Sequence, residues 1–396
     1  MRDGWKRVAL GEVTQESSIR VGSLSNEAVV LSSTKHHGLV RSDEYFKNRQ
    51  IHSDDISGYK LVRRGWFAYA TNHLAEGSIG LQGIVDIACV SPIYTVFSCS
   101  PEIDPTFMYR LLKSDAMLME YGVHDQASVD RRGAVRYRDF EKIEVNLPPL
   151  TEQRRIAEIL DEVDAQIRRA DAEIAKLSKV FRGTLLGTMA ALREDPDTTW
   201  LPVNEVGEVR LGRQRSPEHS EGEFIRPYLR VANVFDGFID YSDVLSMNFN
   251  PVEQERYELQ PGDILLNEGQ SIELVGRSAL YDGPPGMFFQ NTLIRFRPAE
   301  VLPEFARLVF KYWLDTGAFA DIAKKTTSIA HLGGDRFGAM LFPIPSEGAQ
   351  RRAVTAVGEV GSASRHISQE IVKLKELRRA LLGDLLTGKV RVSTSA

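Results

Sequence analysis

The sequence has few of the features that mark secreted, membrane-spanning or metal-binding proteins. Only two cysteines occur among 396 residues, Cys89 and Cys99, and neither belongs to a Cys/His set with zinc-ligand spacing. We expect both to be buried free thiols. No apolar stretch of 18 residues occurs, and the first residues lack the apolar run of a signal peptide. These absences predict a cytoplasmic protein without a disulfide.

The chain also lacks a basic domain. Its net charge is −5 overall, with −1 in residues 1–148, −1 in 149–195, −7 in 196–343 and +4 in 344–396. A protein that binds nucleic acid mainly by neutralising phosphates normally carries a basic domain. Any contact with DNA should therefore use local basic clusters and the edges of the bases. The acidic remainder favours protein neighbours.

Motifs of catalysis are absent or incomplete. Residues 383–389 fit the phosphate-loop spacing GxxxxGK, but Val390 stands where a Ser or Thr must bind Mg²⁺, and the glycines lie at the end of a predicted helix. No Asp or Glu has a Lys two residues later, as many nucleases do, and the 146–150 segment lacks the aromatic residue of an amino-methyltransferase loop. HExxH and GxSxG motifs are also missing. We expect no catalytic centre, no cofactor and no metal site.

What the sequence does contain is an internal repeat at an offset near 197 residues. Trp5 corresponds to Trp200, Pro105-Thr106-Phe107 to Pro303-Glu304-Phe305, and Gln153-Arg154-Arg155 to Gln350-Arg351-Arg352. Each copy mixes short β-branched or aromatic runs with turn residues, then continues into a long helix; a short helix is predicted after each of Pro105 and Pro303. The predicted fold class is α/β (α+β) with two tandem globular domains. Its segments are residues 1–148, the helix 149–195, residues 196–343, and the helix and tail 344–396.

Apolar residues in both long helices recur at alternating steps of three and four, which is typical of a coiled-coil seam. The first helix carries Leu160, Val163, Ile167, Ala170, Ile174, Leu177 and Phe181, and the second carries Val357, Val360, Ile367, Ile371 and Leu374. We expect the helices to pair antiparallel, and the second to stop near Gly388. A helix of about 36 residues is on the order of 54 Å long, which favours a spacer or scaffold.

Three segments resemble the specificity subunits of Type I restriction-modification systems. They are Pro148-Pro149-Leu150-Thr151-Glu152-Gln153, the C-terminal segment 381–390, and Pro227-Tyr228-Leu229-Arg230-Val231-Ala232-Asn233-Val234. The second copy departs from the first motif, because Gly348-Ala349 precede its Gln350. The resemblance implies that each globular domain recognises one half of a split, asymmetric site in double-stranded DNA. It also implies that the helices dock methyltransferase subunits and, through them, restriction subunits.

Base recognition needs donor and acceptor side chains on loops that reach the major groove. Two equivalent segments between the short and the long helix are locally basic, and we predict DNA contacts there. The candidates are Gln126, Ser128, Arg131, Arg132, Arg136 and Arg138 in the first copy, and Lys324, Lys325, Thr326, Thr327, Ser328 and Arg336 in the second. Further candidates, all on predicted loops, are Thr34, Lys35, Arg41, Arg213 and Arg215.

For partner subunits, the candidate residues lie on the helix seam. They are Leu160, Val163, Ile167, Ile174, Leu177, Ile367, Ile371 and Leu374. Two other hypotheses remain open at this point: a recognition subunit of a related system outside Type I, and a coiled-coil adaptor that binds only protein, which the −7 charge of the second domain favours.

Overall fold

A computed structural model of the chain describes residues 4–47, 52–126, 134–326 and 329–392, without the side chains of residues 124–126. The chain divides into two compact units. Unit 1 consists of Met1–Asp171 with Gln369–Ala396, and unit 2 is Ala172–Ser368. Both boundaries fall inside the long helices, so each unit contains the first part of one long helix and the last part of the other. The four-segment division of the sequence stays a prediction, because these units are defined by packing alone.

Unit 1 contains a mixed set of short strands and helices. Its strands are β1 Lys6–Ala9, β2 Thr14–Glu16, β3 Val29–Thr34, β4 Gly38–Arg41, β5 Lys60–Arg63, β6 Phe67–Ala70, β7 Ile79–Leu81, β8 Ile87–Val90, β9 Tyr94–Cys99 and β10 Glu144–Leu147. Its helices are α1 Leu10–Val13, α2 Ser42–Tyr45, α3 Pro105–Leu112, α4 Asp115–Gln126 and α5 Tyr137–Phe140, followed by the long helix α6 Leu150–Glu194.

Unit 2 repeats this order. Its strands are β11 Thr199–Pro202, β12 Gly207–Leu211, β13 Ile225–Leu229, β14 Leu245–Asn248, β15 Ile264–Asn267, β16 Gly269–Gln270, β17 Ser278–Leu280, β18 Phe288–Phe289, β19 Leu293–Pro298, β20 Lys324–Lys325, β21 Ala330–His331 and β22 Leu341–Ile344. Its helices are α7 Val203–Val206, α8 Pro251–Tyr257, α9 Pro303–Thr316, α10 Ala318–Ile322, α11 Gly334–Gly338 and the long helix α12 Glu347–Leu386.

The sheets of the two units correspond strand by strand. The order β2-β9-β6-β7 in unit 1 is matched by β12-β19-β15-β17 in unit 2, and the order β4-β3-β8-β5 is matched in part by β14-β13-β18. The first strand of each copy pairs antiparallel with the strand before the long helix, as β1 with β10 and β11 with β22. The structure thus confirms the repeat that the sequence predicted.

Local sequence explains where the short helices begin. Pro105 occupies the first turn of α3, where the missing N–H costs nothing, and the Asp104 carboxylate accepts a hydrogen bond from the Phe107 N–H at 2.9 Å. Pro303 occupies the same position in α9, which ends at Gly317 in the left-handed conformation (φ 83°). Both helices predicted after these prolines are therefore present.

A buried glutamine in the first turn of each long helix accepts a hydrogen bond from the N-terminal end of the preceding short helix. In unit 1, Gln153 Oε1 accepts from the Asp104 N–H at 2.9 Å, and Nε2 donates to Pro148 O at 2.9 Å. In unit 2, Gln350 Oε1 accepts from the Leu302 N–H at 2.9 Å, and Nε2 donates to Pro345 O at 3.0 Å. The two glutamines are 2% and 3% exposed. The repeat is strongest at these positions because the same packing joint is built twice.

The long helices pair antiparallel, as predicted. In unit 1 the start of α6 lies beside the end of α12: Leu385 and Leu386 share a core with Ile156 and Leu160, and Arg391 forms an ion pair with Glu152 at 3.1 Å. In unit 2 the end of α6 packs against the start of α12, where Leu185, Met189 and Leu192 share a core with Ala349, Ala353 and Val357. Segments of both long helices thus contribute to the hydrophobic core of each unit.

Other sequence expectations can be tested directly. Cys89 is buried and Cys99 is half-buried, and both are free. The GxxxxGK segment lies at the end of α12, with Gly388 at φ 67° packed against Trp5, so the segment ends a helix and does not begin one, as predicted. Among the described residues, no helix is long and apolar enough to cross a membrane.

Candidate nucleic-acid interface

The basic segment of unit 2 forms the edge of a small three-stranded sheet with the order β16-β21-β20. Lys324 pairs with His331 and Lys325 pairs with Ala330, and both lysines are exposed. β20 is the edge strand of this sheet, and both lysine side chains are exposed to solvent. Thr327 and Ser328, also predicted to contact DNA, lie outside the described residues.

Hydrogen bonds fix this small sheet to the domain. The Leu332 N–H donates to Glu268 O at 2.8 Å, and His331 Nδ1 lies 2.9 Å from Glu268 Oε2. Arg336 donates from Nη2 to His331 O at 2.8 Å, and Thr326 Oγ1 donates to Ile329 O at 2.7 Å. Arg336 and Thr326 therefore support the loop through backbone carbonyls, while Lys324 and Lys325 remain available to an anionic partner.

The corresponding segment of unit 1 is anchored by the equivalent bond. The Val135 N–H donates to Thr71 O at 2.9 Å, and both residues lie 197 positions before Leu332 and Glu268. Arg136 and Arg138 are exposed beside this bond. Thr71 and Arg136 also line an open cleft of about 680 Å³.

Several predicted DNA contacts of unit 1 cannot be placed. Ser128, Arg131 and Arg132 lie outside the described residues, and so does the side chain of Gln126, whose backbone ends α4. Their role stays a prediction.

The further candidates differ in solvent exposure and in whether their side chains already have partners in the fold. Lys35 is exposed in the turn between β3 and β4. Thr34 and Arg41 were predicted to lie on loops, but Thr34 is the last residue of β3 and Arg41 the last of β4, because these two strands pair as a hairpin. Thr34 Oγ1 donates to Gly38 O across the hairpin. Arg41 is ion-paired with Asp43 at 3.4 Å and with Glu44 at 3.0 Å.

Arg213 and Arg215 were both expected on a loop. Arg215 is exposed, but Arg213 is only 6% exposed, forms an ion pair with Glu253 at 2.7 Å, and stacks over the Phe249 ring. The fold itself therefore accounts for Arg213, and we leave this residue out of the proposed interface.

The predicted partner residues lie at the packed face of the long helices. Leu160, Val163, Ile167 and Ile371 are between 1% and 9% exposed, while Ile174, Leu177, Ile367 and Leu374 are half-buried. The chain itself covers the first four, so these side chains position the helices. Direct partner contact by these residues stays a prediction.

Sequence reasoning missed an ionic cluster in unit 1 between α3 and the long helices. Arg110 forms ion pairs with Asp161, at 2.5 Å, and with Asp164, which also pairs with Arg378. Burial opposes the charged form of Asp164, but the two arginines outweigh it and hold the pKa of this carboxyl below its ordinary value. Asp164 and Arg378 are 214 positions apart, so only the helical pairing brings them together.

The described residues contain no group of three or more His, Cys, Asp and Glu side chains that could hold a metal ion. What the two segments offer is cationic and hydrogen-bonding groups on fixed loops. This chemistry suits phosphates and base edges.

Part of the chain matches a known protein family. The family described as "Type I restriction modification DNA specificity domain" matches residues 58–179. The chain is 25% identical over 275 residues to the Type I restriction enzyme EcoKI specificity subunit of Escherichia coli (strain K12), over 63% of this chain and 58% of that protein. The match thus spans less than two thirds of this curated relative.

Two solved structures share the fold along nearly the whole chain. One comes from work on complex assembly and conformational transition of the type I R-M system, with a TM-score of 0.57 and 18% identity, and the likeness covers 98% of this chain and 99% of that one. The other is the Type-I restriction-modification system S subunit from M. genitalium, with a TM-score of 0.58 and 14% identity over 96% of both chains. At these identities the likeness establishes the fold alone. The predicted α/β arrangement with paired long helices is confirmed.

Proposed function

We propose that this chain is a specificity subunit of the Type I restriction-modification family, which its partial matches indicate, and that it recognises a bipartite, asymmetric DNA site. These matches agree with the resemblance predicted from the motifs, and the proposal includes the prediction of a non-catalytic subunit. In the proposal each globular domain contacts one half-site, and the long helices dock the methyltransferase subunits. Restriction subunits join through those partners.

The observation that carries the proposal is the duplicated anchoring of the two basic segments. The bond from Val135 to Thr71 in unit 1 recurs as the bond from Leu332 to Glu268 in unit 2. Because the two domains have diverged in sequence, the corresponding segments carry different side chains, with Arg136 and Arg138 in one and Lys324 and Lys325 in the other. Two equivalent loops with different donors suit two different half-sites, which makes the complete site asymmetric.

The charge distribution indicates how the domains would bind. Residues 196–343 carry 14 basic and 21 acidic residues, so repulsion from the phosphates would disfavour binding across the whole surface. Contact must concentrate at the exposed lysines of β20 and at positions close to them. This arrangement favours base recognition over sequence-independent attraction.

A selection experiment tests the proposal. The full chain, alone and with a co-expressed methyltransferase subunit, is incubated with a pool of random duplexes, and the retained fraction is sequenced at two salt concentrations. We expect enrichment of two short motifs at a fixed separation. A retained pool that is indistinguishable from the input at both salts would instead favour the protein-only adaptor.

A further inference from the structure

Each unit has a cleft between its short proline-initiated helix and the paired long helices. Each cleft is lined by three arginines at positions that correspond between the two units with an offset of 197 residues. The arginines of unit 1 are Arg110, Arg168 and Arg379, and their counterparts in unit 2 are Arg307, Arg365 and Arg182. The cleft of unit 1 measures about 1040 Å³ and that of unit 2 about 450 Å³. The two clefts carry these arginines in different electrostatic settings.

In unit 1 the fold neutralises the arginine on the short helix. Arg110 is paired with both Asp161 and Asp164 of α6. Arg110 therefore has little attraction left for an external anion.

In unit 2 both of these carboxylates are missing. The positions equivalent to Asp161 and Asp164 are Gly358 and Gly361 of α12. Within the described residues, Arg307 has neither an ion pair nor a hydrogen bond, although its side chain is mostly buried. Burial lowers the pKa of this guanidinium, and the attraction from nearby Asp236 offsets this effect only in part. A buried charge of this kind is favourable only with a counter-charge.

The acidic side chains of this cleft are already engaged. Asp236 and Asp315 both pair with Lys311, the former at 2.9 Å. Arg182, Arg307 and Arg365 thus line a concave surface, whose floor at Gly358 and Gly361 lets a ligand approach the helix backbone closely. Guanidinium groups in such an arrangement suit the bidentate binding of a phosphate.

The cleft lies at the same end of the domain as the basic sheet. One wall is formed by Asp236, Gly237 and Phe238, and the Gly237 N–H donates to Ser278 O at the start of β17. The loop joining β15 to β17 contains β16, which pairs with β21 next to Lys324 and Lys325. A duplex held at the lysines would therefore pass this end of the domain.

We propose that the cleft lined by Arg182, Arg307 and Arg365 binds a backbone phosphate of the DNA duplex. The inference rests on the proposed function, because it takes the duplex as the ligand. As a phosphate contact, it fixes position and adds affinity without sequence information.

The test transfers the carboxylate of unit 1 into unit 2. Gly361→Asp places an acid where Asp164 stands in the other copy, and a Cβ at Gly361 would meet its nearest neighbour, Phe181 Cε2, at 3.5 Å, an ordinary contact. The matched control is Gly187→Asp, another helical glycine of unit 2, whose Cβ would have no neighbour within 4 Å. Arg307→Ala removes the central guanidinium as an independent second variant.

Binding of the wild-type chain and the variants is measured by fluorescence anisotropy on the selected duplex and on a scrambled one, between 50 and 200 mM salt. For Gly361→Asp and Arg307→Ala we expect a roughly tenfold loss of affinity for both duplexes and a slope of log K against log salt shallower by about 1. Gly187→Asp should match the wild type.

Wild-type affinity and slope in both cleft variants would overturn the inference while leaving the proposed function intact. Unchanged DNA binding together with loss of the co-purified methyltransferase subunit would also overturn it, because the cleft would then bind protein. If the wild-type chain binds neither duplex, the proposed function fails and the inference fails with it.

Discussion

Replacing Gln153, a polar residue in the first turn of α6, by Ala should strongly lower the free energy of unfolding of unit 1. Its side-chain amide makes three hydrogen bonds, accepting from the Asp104 N–H and donating to Pro148 O and, at 3.3 Å, to Glu102 O. The residue is 2% exposed, so these three hydrogen bonds are buried. At about 1 kcal/mol for each buried hydrogen bond, the expected loss is about 3 kcal/mol, and about 2 kcal/mol for Gln350→Ala, which loses two.

Urea denaturation followed by circular dichroism measures the loss of stability, and hydrogen exchange locates it. The Asp104 amide should exchange faster in Gln153→Ala, and the Leu302 amide in Gln350→Ala. Arg154→Ala is the control, since Arg154 is exposed on the same turn of α6 and should change stability by less than about 0.5 kcal/mol. Equal stability of Gln153→Ala and Arg154→Ala would refute the view that the glutamine is a structural joint.

Three further predictions follow from the helices and the basic sheet. Lys325→Ala should weaken duplex binding in a gel shift and leave methyltransferase co-purification intact; unchanged binding of the cognate duplex would remove β20 from the interface. Ile167→Pro, which removes a backbone donor and kinks α6, should abolish assembly in size-exclusion chromatography, and a retained methyltransferase subunit would contradict the docking role. Asp164→Asn should cost about 1–2 kcal/mol at pH 7. Because the folded pKa of Asp164 is depressed, its contribution is present above the unfolded value of about 3.9 and is lost as the pH falls below it; pH-dependent urea melts in which variant and wild type run parallel from pH 7 to 2.5 would contradict this.

The periodic and repeated features of the fold were predictable from the sequence. Seam residues spaced by three and four predicted two long helices, and Pro105 and Pro303 predicted the two short ones. The long helices extend further than the seam indicated, over 45 residues in α6 and 40 in α12. In α6 the extension occurs because Leu185, Met189 and Leu192 pack into the core of unit 2, a face that lies beyond the coiled-coil pattern.

Features that depend on partners distant in the sequence were missed in the sequence analysis. Arg213 was expected on an exposed loop, but its partner Glu253 lies 40 positions away and holds it inside the fold. The paired clefts were missed for the same reason. The charge of Arg110 is neutralised only because the helices bring Asp161 and Asp164 beside it. Arg307 differs because Gly358 and Gly361 take the positions of those two carboxylates. An exact offset of 197 relates these residues, so a residue-by-residue comparison of the two copies could have found them.

The central hypothesis is that each of the two domains recognises one half of the DNA site. Mapping methylated bases in the genomes of cells that carry or lack this gene tests it most directly. We expect methylation, dependent on the gene, at a site of two different short half-sites separated by a gap of fixed length and variable sequence. A single uninterrupted motif, or identical methylation in both strains, would contradict the claim that two domains of this chain each recognise one half of the site.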